Sequence, residues 1–176
     1  MKIYSQQKKI LIIKFGGLGD VILSLNAFNS IVCHHKTKPF LLTEKPFDEL
    51  LIKSGWFNQI ITVNRGLFYF MDTAEIKKKI KGINFDFVYD LQTSKRTSYY
   101  LKLFKEQAIT NGIGEYAKVS HDNQNRNNLH THQRQKEQIS LSNITYKSKM
   151  DIKWLFKSKI NVPKQKYAMI VPGGSK

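Results

Sequence analysis

This sequence is poor in three kinds of residue, and each scarcity excludes something. It holds one cysteine, Cys33, so no intramolecular disulfide and no cysteine zinc cluster can form. It holds 13 acidic residues against 29 basic ones, a formal net charge of +16. Among those 29 only Arg65, Arg96, Arg126 and Arg134 are arginine. It also lacks any apolar run near the roughly 20 residues needed to cross a bilayer. The first apolar run, Ile10 to Ile13, stops at Lys14 and is too short for the apolar region of a signal peptide. A cytoplasmic location is the expectation.

What remains is enough for a folded domain. The chain has 176 residues, 41% of them hydrophobic and 12% aromatic, which suits one domain, or one domain and a piece of another. Two explanations stand for the charge. It attracts polyanions such as acidic lipid or phosphorylated glycans, or it reflects the lysine, asparagine and isoleucine bias of an A+T-rich coding sequence. Lysine suits loose attraction to a charged surface better than the bidentate reading of bases, and no nucleic-acid role is expected.

Strand-like and helix-like runs alternate from Lys8 to about Ile113. The strands are expected at Ile10–Lys14, Pro39–Thr43, Gln59–Val63, Phe85–Leu91 and Ala108–Gly112, and the helices at Asp20–Val32, Pro46–Ser54, Met71–Ile80 and Ser94–Phe104. Such alternation predicts an α/β fold: a Rossmann-like parallel sheet with helices on both faces. Cys33 falls on the expected apolar face of the first helix and reads as a small core residue. Phe68, Tyr69, Phe70, Tyr99, Tyr100 and Phe104 recur at helical spacing, which favours core packing over an exposed aromatic cluster. After Gly114 the chain turns polar. His130–Leu141 reads as a mostly polar helix and Asp151–Phe156 as a short turn burying Trp154 and Leu155. A last strand, Tyr167–Val171, runs into Pro172-Gly173-Gly174-Ser175-Lys176. The expected division is residues 1–145, a first α/β domain with a polar inter-domain segment, and residues 146–176, a linker and the first strand of a truncated second domain.

The chemistry concentrates in two places. The first is Gly16-Gly17-Leu18-Gly19-Asp20, where the first strand gives way to the first helix. It is neither a P-loop nor the dinucleotide fingerprint, because no Lys-Ser/Thr pair and no third glycine follow. The absent glycine also disfavours a nucleotide-dependent dehydrogenase. Asp20 has two readings, N-cap and general base, and an ionised carboxylate is expected at a helix start. The second place is Asp90-Leu91-Gln92-Thr93-Ser94-Lys95-Arg96, which reaches the same carboxyl edge of the sheet. Lys95 and Arg96 open a helix, against the sign of its dipole. They are candidates to grip an acidic sugar or a phosphate, or else a solvated helix start. The pair His130-x-His132 has no supporting carboxylate or cysteine cluster, and no metal site is expected.

These segments together resemble the N-terminal half of glycosyltransferase family 9, the ADP-heptose:lipopolysaccharide heptosyltransferases. ILIIKFGGLGDVILSLNAF looks like the family's first strand, turn and helix, and FDFVYDLQTSKRTSYYLKL like its fourth strand and the helix beyond. LHTHQRQKEQISLSNI is similar to its inter-domain segment, and YAMIVPGGSK to the strand and turn that begin its donor domain. The resemblance implies the N-terminal, acceptor-binding domain of a GT-B fold. It implies inverting transfer of heptose from ADP-heptose to the inner core of lipopolysaccharide, with no obligatory metal or cofactor. Asp20 aligns with the catalytic base. Acceptor-binding positions would be Gly17, Leu18, Gly19, Gln92, Lys95 and Arg96, and donor-binding positions Gly173, Gly174 and Ser175. Most of the donor domain has no counterpart here, so the chain alone is expected to be inactive. Peripheral contact with the cytoplasmic face of the inner membrane is a further expectation. The competing reading is a non-catalytic basic α/β domain that binds acidic lipid or another polyanion.

Overall fold

A computed structural model describes residues 7–156, together with Gln165, Lys166 and Ala168. Six strands form one sheet: β1 (Ile10–Ile13), β2 (Phe40–Thr43), β3 (Gln59–Thr62), β4 (Phe87–Asp90), β5 (Ile109–Gly112) and β6 (Val119–Ser120). All pair in parallel, in the order β3-β2-β1-β4-β5-β6. The two-residue β6 was not legible as a strand. Among the described residues six α-helices accompany the sheet: α1 (Leu18–Leu23), α2 (Leu25–His35), α3 (Phe47–Ile52), α4 (Tyr69–Lys79), α5 (Lys95–Tyr100) and α6 (Thr131–Ser140).

The period-2 geometry of β1 explains why the sheet is buried on both faces. Ile10 and Ile12 point into a core with Leu25, Phe28 and Ile31 of α2 and Ile139 of α6. Leu11 and Ile13 point the other way, toward Ile76 of α4, Tyr100 of α5 and Phe104. Each of these β1 side chains is 0–1% exposed, and burial of this kind contributes about 1.5–3 kcal/mol per aliphatic side chain.

The long first helix expected from the sequence is two helices. Ser24 separates them, its hydroxyl donating to the Asp20 carbonyl at 2.7 Å. Such back-bonding competes with the helical ladder. The apolar face of α2 is carried by Leu25, Phe28 and Ile31, and Cys33 is exposed instead of lying in the core. The expected helix over Ser94–Phe104 is α5 followed by a 3₁₀ turn at Leu101–Phe104. Lys77, Lys78 and Lys79 occupy the last turn of α4, where the dipole favours cations. Lys153–Phe156 forms a 3₁₀ turn that buries Trp154 and half-buries Leu155. Of the strand expected at Tyr167–Val171 only Ala168 is among the described residues, and the turn Pro172–Lys176 lies outside them.

Candidate functional site at the sheet edge

Strand order reverses between β1 and β4: the chain winds outward to β2 and β3 on one side, then to β5 and β6 on the other. In an open parallel sheet the loops at such a point diverge and leave a crevice at the carboxyl ends of the strands. A cavity of about 120 Å³ sits there. Lys14 and Asp20 reach it from beyond β1, and Leu91, Gln92 and Thr93 from beyond β4. The opposite wall is Arg126 with Thr131, Arg134, Gln135 and Gln138 of α6.

The turn after β1 is built from its glycines. Gly16 has φ +100°, a left-handed conformation that penalises a side chain, and a Cβ there would lie 3.4 Å from the Gln92 amide and 3.5 Å from Asp20 Oδ2. Gly17 is the N-cap, which makes Asp20 the third residue of α1 rather than its cap. Asp20 is exposed, and its carboxylate has no hydrogen bond or ion pair among the described residues.

Gln92 is committed to holding this turn. Its Oε1 accepts from Lys14 Nζ at 3.0 Å and from the Phe15 amide at 3.1 Å. Glu44, just beyond β2, braces the other side, accepting from the Gly16 amide at 3.1 Å and pairing in two-pronged fashion with Arg65. The Arg65 guanidinium lies 4.9 Å from the ring centroid of Phe15.

The electrostatics of the cavity are cationic. Lys14 is 4% exposed and Arg126 8% exposed, and both have pKa values pushed down by burial. The carboxylates of Asp20 and Asp90 counter that effect on Lys14, while the neighbouring charge of Arg134 adds to it on both. Arg126 Nε is buried without a hydrogen-bond partner among the described residues. An anion entering here would find three cationic side chains and one free carboxylate. Behind the cavity Asp90 is fully buried. Burial raises its pKa to about 6 against the pull of the Thr93 and Gln92 amides, which donate to Oδ1.

The cavity thus brings together Asp20 and Gln92 of the expected site. Gly17, Leu18 and Gly19 are exposed at the start of α1 and do not line it. Lys95 and Arg96 line a separate hollow with Leu67 and Tyr99. Arg96 is tied to Asp72 by an ion pair and to the Tyr100 hydroxyl and the Gly66 carbonyl by hydrogen bonds. Ser94 and Thr97 cap α5 reciprocally, so the cation at this helix start is compensated by the buried carboxylate of Asp72. Gly173, Gly174 and Ser175 lie outside the described residues. His130 accepts the His132 amide at its Nδ1 and caps α6.

Lys14, Arg126 and Arg134 were missed. Lys14 carried a signal, a lysine ending an otherwise apolar strand. Arg126 and Arg134 carried a weaker one, two of only four arginines in a lysine-rich chain.

No protein-family model and no curated protein matches the sequence. Solved structures do match the fold. The first class they define is an open parallel α/β sheet with its crevice at the strand ends. More narrowly, the fold is like that of family 9 glycosyltransferases. The chain superposes on a family 9 glycosyl transferase from Veillonella parvula with a TM-score of 0.63 at 16% identity, covering 78% of this chain and 42% of that one. It superposes on the E. coli heptosyltransferase WaaC with ADP with a TM-score of 0.62 at 17% identity, covering 81% and 49%. WaaC with ADP-2-deoxy-2-fluoro heptose gives 0.61 at 16%, covering 81% and 50%. This chain therefore spans half or less of the length of the structures it matches.

Proposed function

We propose that this chain is the acceptor-binding part of a heptosyltransferase-like, inverting glycosyltransferase whose acceptor carries an acidic group. The observation that carries this reading is the Asp20 carboxylate, solvent-reachable and unpartnered among the described residues, on the wall of a cationic cavity. A carboxylate so placed can act as general base. It takes the proton of an acceptor hydroxyl as that oxygen bonds to the anomeric carbon of a nucleotide sugar. The bond from that carbon to the diphosphate breaks, its electron pair leaves with the nucleoside diphosphate, and the configuration inverts. General-base catalysis of this type contributes about 10²–10⁴-fold.

Arg126, Arg134 and Lys14 would hold a carboxylate or phosphate of the acceptor and so orient its hydroxyl toward Asp20. Lipopolysaccharide inner core fits that description, and the likeness in fold to WaaC makes ADP-heptose the first donor to test. The donor would be held by a further domain, with Gly173, Gly174 and Ser175 at its first edge.

The test is release of ADP from ADP-heptose with deacylated inner-core lipopolysaccharide, using this chain joined to or mixed with a donor-binding half. Arg134→Gln should weaken acceptor binding by roughly ten- to hundredfold, the scale of a lost charge-assisted hydrogen bond. If acceptor binding is indifferent to Arg134→Gln and Arg126→Gln together, the acceptor does not occupy this cavity.

The second reading, a non-catalytic domain for polyanions, is favoured by the same three cations and by the net charge of +16. It predicts binding that weakens steeply with salt and is indifferent to loss of the Asp20 carboxylate.

A further inference from the structure

The segment between β3 and α4 is built against the usual rule for soluble surfaces. Leu67 is 95% exposed, Phe68 57%, Phe70 60% and Met71 57%. Phe68 and Phe70 stack with ring centroids 5.6 Å apart. Of the aromatics whose helical spacing predicts core packing, Tyr100 and Phe104 are buried, while Phe68 and Phe70 turn outward.

This exposure does not come from a slack loop. On one side Arg65 is anchored to Glu44, which also holds the Gly16 amide of the turn before Asp20. On the other side Arg96 grips the Gly66 carbonyl and the buried Asp72, and Asp72 Oδ1 accepts from the Gly66 amide at 3.2 Å. Two arginines therefore fix the backbone while the apolar side chains between them stand in solvent. An exposed apolar cluster held this way reads as a contact surface.

The charges around it decide what it contacts. From Asn64 to Met71 there is no acidic residue, and from Leu91 to Lys105 there is none either. Lys95 is exposed and shares a hollow with Leu67, Arg96 and Tyr99. Lys102 lies over the rings of Tyr99 and Tyr116. Along α4 the lysines Lys77 and Lys78 are exposed, Asp72 is buried and paired, and Glu75 is neutralised by Lys79. Large apolar side chains with a lysine beside them and no acidic residue in their own segment suit a bilayer with anionic headgroups, because acyl chains take the apolar groups and phosphates meet the ammonium group.

We infer that Leu67, Phe68, Phe70 and Met71, with Lys95 beside them, dock this chain onto an anionic lipid surface. Through Arg65, Glu44 and Gly16 the docked segment is tied to the turn that carries Asp20. The inference does not need the transferase reading, since membrane docking can hold where sugar transfer fails.

The test is sedimentation of the chain with phosphatidylcholine vesicles, with and without phosphatidylglycerol. It is run beside the variant L67S/F68S/F70S, whose altered side chains face solvent, with circular dichroism to check its fold. The expected result is binding to the phosphatidylglycerol vesicles that weakens as salt rises from about 0.05 to 0.5 M. The triple variant should bind roughly tenfold or more weakly, because apolar area buried in the interface is lost.

A second measurement is the variant F68W with bromine-labelled phosphatidylglycerol vesicles. It should show a blue shift and quenching beyond the signal of Trp56 and Trp154, which pack on each other at 5.8 Å. Undiminished vesicle binding by the triple variant overturns the inference. So does an unquenched Trp at position 68 on vesicle-bound protein, or failure to bind phosphatidylglycerol vesicles at all. Self-association lost in the variant, without vesicle binding, would assign the patch to a second copy of the chain and overturn it equally.

Discussion

Buried Asp90 and half-buried His35 give this protein opposing responses to acid. Asp90 is pushed to about 6 from an ordinary 3.8, chiefly by burial. Between those values the folded chain keeps a proton that the unfolded chain has released, so stability falls as pH rises from about 4 to 6. A shift of that size is worth roughly 3 kcal/mol. His35 acts in the reverse direction. Burial, with smaller effects from His34 and Lys8, lowers it from 6.5 to about 4, and its Nε2 meets the Tyr89 hydroxyl at 2.8 Å. Over pH 4 to 6.5 the unfolded chain binds the extra proton, and stability rises with pH. The two trends offset each other. Asp90→Asn should therefore gain stability as pH rises from 4 to 6.5, while His35→Phe should lose it. Urea unfolding at several pH values separates them, and parallel profiles for both variants would refute the assignment.

At the scale of elements, α6 explains how a polar helix comes to form a cavity wall. Its buried glutamines replace apolar packing with hydrogen bonds to the carboxyl edge of the sheet. Gln138 Nε2 donates to the Asp90 carbonyl at 2.8 Å and to Asn111 Oδ1 at 2.9 Å, and Asn111 Nδ2 returns a bond to the Gln138 carbonyl. Gln135 Nε2 donates to Ser24 Oγ at the break between α1 and α2. Gln138→Leu keeps the volume but strands two buried acceptors, at about 1–3 kcal/mol each. A loss of roughly 2–5 kcal/mol in urea unfolding is expected, and a loss below about 0.5 kcal/mol would mean that the network does not hold α6.

The sequence showed the helix itself at His130–Leu141 but not which face it buries, because a buried glutamine carries no apolar signal. The apolar runs made five of the six strands legible to within two residues at either end, while β6, with two half-buried residues, had no period to read. Asp20 was legible because a glycine turn frames it. Arg126 and Arg134 were not, since a fold, rather than a local pattern, carries them across to Asp20.

For the whole molecule, the pieces share one edge. The cavity at the reversal of strand order, the turn with Asp20 and the pinned apolar segment after β3 all belong to the carboxyl ends of the strands. Among the described residues no helix is long and apolar enough to cross a membrane. The fold-level likeness covers half or less of each matched structure.

The most direct measurement is kcat for transfer from ADP-heptose by this chain joined to or mixed with a donor-binding half, wild type against Asp20→Asn, with acceptor binding measured alongside. The account predicts a fall in kcat of about 10²–10⁴-fold, with acceptor affinity changed little. An Asp20→Asn variant that keeps the wild-type kcat would contradict it.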